Sequence, residues 1–425
     1  MEKLQILSPR KHLHWLAIAI LAALSAAPVL HAQTYTVLHN FSGGEDGSTP
    51  YTGLVTDQAG NLYGTTYSGG SGNGGVFKFK HVGSNWIFSS LYNFPGGSSG
   101  ASPYGTVVFS PNGILYGTTY QGADAGCAAG NGCGAVFNLR PPATFCGSIS
   151  CPWTETVLYR FTGGSDGGNP EGPIVFDQTG NNIYGTTRDG ATPGCAGNGC
   201  GVVYKLTKSG NNWIQSVIYS FTGDNVDQGL PDSGVIFDPA GNLYGTVQGC
   251  YGGLYGTAFE LTPAGSGWTY SNIYTFNGGI GQCPVAGLVR DQSGKLYGAT
   301  AIDGGVAFDG TFSGGSWTFS LIDVISGPNG TACGPYEALA MDSAGNLYGT
   351  TYCAGAHNLG SVFKLTFANG SWTLTDLHDF SGPDGSFPLS SLVIDSAGNL
   401  YGTASTGGTG TACMNGCGVV FRIVP

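Results

Sequence analysis

The chain has 425 residues, a formal net charge of −11 and 76 glycines, with 9% charged residues against 12% aromatic ones. That aromatic mass excludes a disordered low-complexity chain, the lack of a Gly-X-Y period excludes collagen, and the composition excludes helical bundles and coiled coils. With 14 Lys plus Arg there are no clustered cations for a nucleic-acid partner, while abundant Gly, aromatic and β-branched residues predict an all-β protein rich in turns.

Residues 1–32 read as a secretory signal peptide. Lys3, Arg10 and Lys11 form its basic start, the apolar stretch runs from Trp15 to Leu30, and Ala32 precedes the expected cut. The stretch is short for a membrane span; an uncleaved N-terminal anchor is the alternative. No later segment is apolar for 18 residues. We therefore expect a secreted chain, extracellular or periplasmic, with no membrane span after cleavage and residues 33–425 as a single domain.

Next comes Tyr35-Thr-Val-Leu-His-Asn-Phe41, a strand-like segment, and after it one phrase repeats seven times: Leu-Tyr-Gly-Thr-Thr and its variants, centred on Tyr63, Tyr116, Tyr184, Tyr244, Tyr297, Tyr348 and Tyr401. The spacings are 53, 68, 60, 53, 51 and 53 residues. Each copy has a short apolar run, such as Val235-Ile236-Phe237, then an Asp-x-x-Gly-Asn turn in most copies, as at Asp57–Asn61, then the tyrosine strand. A Gly-rich loop leads to a third strand with one fixed aromatic: Phe77, Phe137, Tyr204, Phe259, Phe308, Phe363 and Phe421. A fourth strand starts near a Trp (Trp86, Trp153, Trp213, Trp268, Trp317, Trp372) and usually ends in Tyr-x-Phe.

Four strands per repeat of about 50 residues is the size of one β-propeller blade. The apolar first strand is expected to pack on both faces, and the Gly of Leu-Tyr-Gly-Thr to let one blade approach the next. Rows of Tyr and Trp recurring once per blade are read as packing between blades rather than as a sugar-stacking platform. The seventh repeat reaches Val419–Ile423 and has no fourth strand of its own, so Tyr35–Phe41 is expected to supply it and close the ring. The fold class is therefore an all-β, seven-bladed propeller of four antiparallel strands per blade.

All 12 cysteines lie beyond the signal, which in an oxidising compartment points to disulfides; no Cys-x-x-Cys spacing supports zinc. Their positions in the loops propose six pairs: Cys127 with Cys133, Cys146 with Cys151, Cys195 with Cys200, Cys250 with Cys283, Cys333 with Cys353, and Cys413 with Cys417. All but Cys146 and Cys151 fall on one face.

The run Gly-Asn-Leu-Tyr-Gly-Thr-Thr, then Gly-Gly, then Gly-Val-Phe-Lys-Leu resembles the GloVer tandem-repeat family of exported bacterial proteins, over nearly all of the chain after the signal. Such proteins are described as choice-of-anchor proteins because many end in an anchoring segment. Here only Pro425 follows Val424, so free secretion is expected. The resemblance brings no established catalytic activity with it.

The face carrying the stapled loops is the candidate for binding. Asp46, Asp166, Asp224, Asp227 and Asp384 project from its Gly- and Ser-rich lead-in loops. They read either as a cation-assisted or sugar-binding surface or as ordinary turn chemistry. Tyr51, Tyr104, Tyr251 and Tyr336 have no repeat partner, and three of them, Tyr51, Tyr104 and Tyr336, sit at blade entries, where they are expected to line either a face or the channel mouth. The glutamates Glu45, Glu155, Glu171, Glu260 and Glu337 fall in different blades and positions, so no catalytic cluster, metal site or cofactor is expected. The reading is a monomeric binding or cell-surface scaffold protein for a glycan or protein; the alternative is an extracellular hydrolase or lyase with its site at the channel mouth.

Overall fold

The computed structural model describes residues 33–425 except 84, 124–126, 128–129, 143–152, 192, 251, 280, 303–304 and 326–332. The signal segment, Cys146, Cys151 and Tyr251 thus lie outside the described residues. The described chain forms seven four-stranded antiparallel sheets, a seven-bladed β-propeller. Blade four is representative, with strands Ile236–Phe237, Leu243–Val247, Thr257–Ala264 and Gly267–Thr275 in spatial order. Six blades are built from consecutive strands. In the seventh the order is Thr34–Asn40, Val419–Val424, Leu400–Ala404, Val393–Ile394, so the chain start completes the last blade.

The recurring turn phrase has one cause. In blade one, a single oxygen of Asp57 accepts the backbone N–H groups of Ala59 and Asn61, each at 2.9 Å. The other oxygen accepts the Asn61 amide at 2.7 Å and the Tyr63 hydroxyl at 2.9 Å. One carboxylate therefore closes the hairpin and fixes the tyrosine of the next strand. The arrangement is repeated at Asp342 and Asp395. Burial pulls these carboxyl groups upward, but the Asn, Tyr and backbone donors hold them below the usual carboxylate range.

Two expectations need correction. The innermost strand is only two residues long and half-buried; the strand buried throughout is the second, Leu62–Thr66 and its equivalents. The glycine of Leu-Tyr-Gly-Thr does not face the next blade either. It pairs across its own sheet with the fixed aromatic, Gly64 with Phe77 and Gly349 with Phe363. A Cβ on Gly349 would lie 2.6 Å from Phe363 Cζ, so the ring occupies the space a side chain would fill. That ring then meets the Phe ending the previous blade: Phe94 on Phe137 at 5.1 Å, Phe276 on Phe308 at 5.1 Å, Phe380 on Phe421 at 5.4 Å. The Tyr and Trp rows also pack between blades, as Tyr63 on Trp153 and Tyr401 on Trp86. The core is accordingly a series of clusters, each shared by adjacent blades.

The closing strand and the last strand of blade six each carry an acid-sensitive histidine. His39 pairs with Asp46 at 3.1 Å, and His378 with Asp384 at 2.9 Å, where blades two and three use Tyr159 and Tyr219 to donate to Asp166 and Asp227. Burial lowers both imidazoles below 6.5, with the aspartates pulling the other way. The unfolded chain therefore takes up these protons first. Stability is full above about pH 6.5 and falls as pH drops through that value toward the folded pKa. Asp384, held low by Ser381 and His378 against burial, adds a loss of the same sign at still lower pH. Urea midpoints should therefore be lower at about pH 5.5 than at about pH 7.5. His39→Tyr with His378→Tyr should flatten that slope; an unchanged slope would count against this assignment.

Candidate functional site

Each lead-in loop carries a proline just before its first strand: Pro50, Pro103, Pro170, Pro231, Pro284, Pro335 and Pro388. The ring fixes the backbone where the chain bends into the channel, and it wedges against a glycine of the preceding blade. A Cβ on Gly201 would lie 2.8 Å from Pro231 Cδ. The next residue then faces the channel. Its position repeats and its identity does not: Tyr51, Tyr104, Glu171, Asp232, Val285, Tyr336 and Leu389. All seven line one cavity of about 160 Å³, together with Arg188, Gln248 and Glu337.

The mouth has two unlike halves. Blades six, one and two supply tyrosines. Tyr51 lies 5.1 Å from Tyr67 and 5.3 Å from Tyr104, Tyr104 lies 5.9 Å from Tyr120, and Tyr336 lies 5.3 Å from Tyr352. Blades three and four supply charge. Arg188 Nη1 is 3.0 Å from Glu171 Oε1, and Arg188 Nε is 3.5 Å from Asp232 Oδ1. Burial and the nearby Asp232 push Glu171 upward while Arg188 opposes them. Burial also pushes Asp189, beside Arg188, up to about 6. From blade six Glu337 enters the same cavity, pushed up to about 7 by burial. Burial and the charges of Glu171, Asp232 and Glu337 hold the Tyr104 phenol protonated well above its ordinary range.

The five aspartates named from sequence lie elsewhere, in the lead-ins of blades one, three, four and seven. Asp46 accepts the Ser42 N–H at 2.9 Å, Asp166 that of Thr162 at 2.9 Å, and Asp384 that of Ser381 at 2.8 Å. Asp227 accepts Thr222 N–H at 2.8 Å and Gly223 N–H at 2.9 Å, and Asp224 accepts Val226 N–H at 2.7 Å. Each carboxylate closes its own turn, and apart from the neighbours Asp224 and Asp227 they are not gathered. Tyr51, Tyr104 and Tyr336 do reach the mouth. Glu171 and Glu337, read from sequence as scattered, line the same cavity. The available signal for Glu171 was the varied residue after a recurring proline; Glu337 stands one residue further on.

Disulfides fix the loops around this rim. Cys127 is bonded to Cys133, Cys195 to Cys200, and Cys413 to Cys417 within single loops. Cys250–Cys283 ties blade four to the lead-in of blade five, and Cys333–Cys353 ties the lead-in of blade six to that blade's own loop. Among the described residues no group of three or more His, Cys, Asp or Glu is placed to hold a metal ion. A larger cleft of 470 Å³ opens at the opposite end of the blade-four and blade-five seam, beside Tyr244 and Trp317. Similar clefts lie between blades three and four and between blades one and two, so they follow from the repeat itself.

A disulfide-stapled propeller with one differentiated channel mouth is the class of protein defined here. The chain belongs to the Gloeobacter/Verrucomicrobia repeat family, whose model matches residues 28–195, 148–313 and 234–425. No curated protein matches it. Among solved structures, a candidate 6-phosphogluconolactonase from Bacteroides fragilis NCTC 9343 is 15% identical with TM-score 0.48, over 89% of this chain and 98% of that one. Another from Bacteroides uniformis ATCC 8492 is 15% identical with TM-score 0.48, over 76% and 83%. A protein of unknown function from Dyadobacter fermentans DSM 18053 is 10% identical with TM-score 0.47, over 93% and 99%. TM-scores this low carry no inference about ligand or reaction here. Among the described residues no helix is long and apolar enough to cross a membrane.

Proposed function

We propose that the protein is exported by its N-terminal signal and binds carbohydrate at the channel mouth. The observation that carries this reading is the divided rim. Tyrosine faces suit the C–H face of a sugar ring, while Arg188, Glu171 and Asp232 offer charge-assisted partners for its hydroxyls. Five disulfides among the described residues accord with an oxidising compartment outside the cytoplasm.

A glycan array, followed by calorimetry on the hits, tests the reading. Tyr104→Ala should weaken binding about tenfold while leaving the melting curve near that of the parent, because the phenol faces the mouth rather than the core. A parent protein that retains no glycan would refute it.

A second reading rests on the carboxylates Glu171 and Asp232 flanking one guanidinium. Unequal carboxyl groups of this kind are used by hydrolases and lyases. Turnover in a hydrolase and lyase screen, lost in Glu171→Gln, would favour it.

A further inference from the structure

We propose that the channel mouth selects a sugar bearing a free ammonium group, an amino sugar of the glucosamine type, with Glu337 receiving the ammonium. This rests on the carbohydrate reading above and deepens it.

The charges facing the cavity do not balance. Glu171, Asp232 and Glu337 line it, Asp189 lies behind them next to Arg188, and Arg188 is the one cation among the lining residues. That guanidinium is already engaged, 3.0 Å from Glu171 and 3.5 Å from Asp232. Glu337 comes from another blade, lines the same cavity and is half-buried there. It is stabilised by the backbone N–H of Ala338, and no Lys, Arg or His among the described residues forms an ion pair with it. Tyr51, Tyr104 and Tyr336 line the same cavity, with Tyr352 5.3 Å from Tyr336, and the Tyr104 phenol senses the Glu337 charge.

A neutral sugar hydroxyl accepts or donates here but leaves Glu337 without a counter-charge. A uronate or sulfated sugar adds a further negative charge to the rim. An ammonium supplies the missing cation, and the tyrosine faces attract it as well. The cavity, about 160 Å³, is below the roughly 300 Å³ at which drug-sized sites begin, which suits one sugar unit rather than a buried chain. Burial keeps part of the Glu337 population protonated near pH 7 in the free protein. Ammonium binding favours the carboxylate, so the Glu337 proton leaves to solvent on binding. Preference for the amino sugar should therefore grow from about pH 5.5 to about pH 7, below the range in which the sugar's own ammonium, acidified by its neighbouring oxygens, loses its proton.

Calorimetry or ligand-observed NMR with glucosamine, N-acetylglucosamine, glucose and glucuronate tests this. We expect glucosamine to bind about tenfold more tightly than N-acetylglucosamine or glucose, with glucuronate weakest. Glu337→Gln should remove the preference, bringing glucosamine to about the affinity of glucose in the same variant. Binding of neutral sugars with no glucosamine preference, or a preference that survives in Glu337→Gln, overturns the proposal and leaves the carbohydrate reading standing. Failure of all four sugars to bind the parent overturns the amino-sugar proposal, and the carbohydrate reading falls with it only if the glycan array is also empty. If Glu337→Gln does not fold, the parent carries the test: a glucosamine-to-glucose affinity ratio that stays flat over this pH range overturns the ammonium assignment.

Discussion

Removal of Thr34–Asn40 should abolish cooperative folding of the ring. This strand pairs with Val419–Val424 through six register positions, from Thr34 opposite Val424 to Asn40 opposite Val419. It also spans two seams. On one side Tyr35 stacks on His378 at 3.7 Å, and its hydroxyl donates to the Asp384 carbonyl at 2.7 Å. On the other, Leu38 packs in the cluster that joins blade seven to blade one. Phe41 follows at once, fully buried against Phe77, and its N–H donates to the Gly418 carbonyl at 3.0 Å. Losing the strand removes the outer edge of blade seven and opens clusters on both sides. The cost is of the order of the whole stability of a domain, about 5–10 kcal/mol. It also bares Val-Val-Phe-Arg-Ile-Val at Val419–Val424, an apolar edge ready to pair with other chains. Thermal melts and size-exclusion chromatography of the truncated protein should show loss of the single transition and association. A synthetic peptide spanning Gln33–Phe41 should restore the monomer in trans. A truncated protein that melts in one transition at the parental temperature would refute this account of closure.

What could be read from sequence was what is local or repeated. The Asp57 turn is legible because its carboxylate finds all its donors within six residues, so the phrase itself records the contact. Ring closure is legible because Tyr35–Phe41 has the pattern of a fourth strand and the last repeat lacks one. The glycine was misassigned because its partner lies across a loop of changing length. Phe77 is 13 residues from Gly64, but Phe137 is 20 residues from Gly117. Only strand register shows that each ring covers the glycine of its own blade. The mouth was the least legible part. Arg188 occupies the position of Tyr67 and Tyr120, and Glu337 is offset by one residue from Glu171 in its repeat. They come together only because closure brings the inner ends of all blades to one axis. The five aspartates drew notice because polar turns and polar sites use the same residues. In the structure each of them accepts an N–H within its own turn.

Gly349→Ala should destabilise the protein by about 2–4 kcal/mol, far more than a small added methyl group ordinarily costs. The new Cβ would lie 2.6 Å from Phe363 Cζ and 2.8 Å from Leu339 Cδ2. Neither neighbour can withdraw easily. Phe363 is fully buried and Leu339 is 2% exposed, both within the cluster that includes Ile325 and Leu347. The methyl group must therefore displace the ring that couples blade five to blade six, and the strain reaches the seam. Gly345, four residues earlier, provides the control. Its φ of +82° disfavours a side chain, but a Cβ there meets nothing within 4 Å. Gly345→Ala should cost only about 1 kcal/mol, the price of the backbone conformation. Phe363→Leu alone should also destabilise, yet combined with Gly349→Ala it should cost less than the two single changes added together, because the smaller side chain vacates the space the methyl needs. Urea midpoints at constant slope measure all four proteins. If Gly349→Ala proved no worse than Gly345→Ala, the phenyl ring would not be what demands glycine in the recurring phrase. If it proves worse and couples to Phe363, the same contact explains the phrase in the other blades, where Gly64, Gly117, Gly245, Gly298 and Gly402 each place their missing Cβ under 3 Å from the matching phenylalanine.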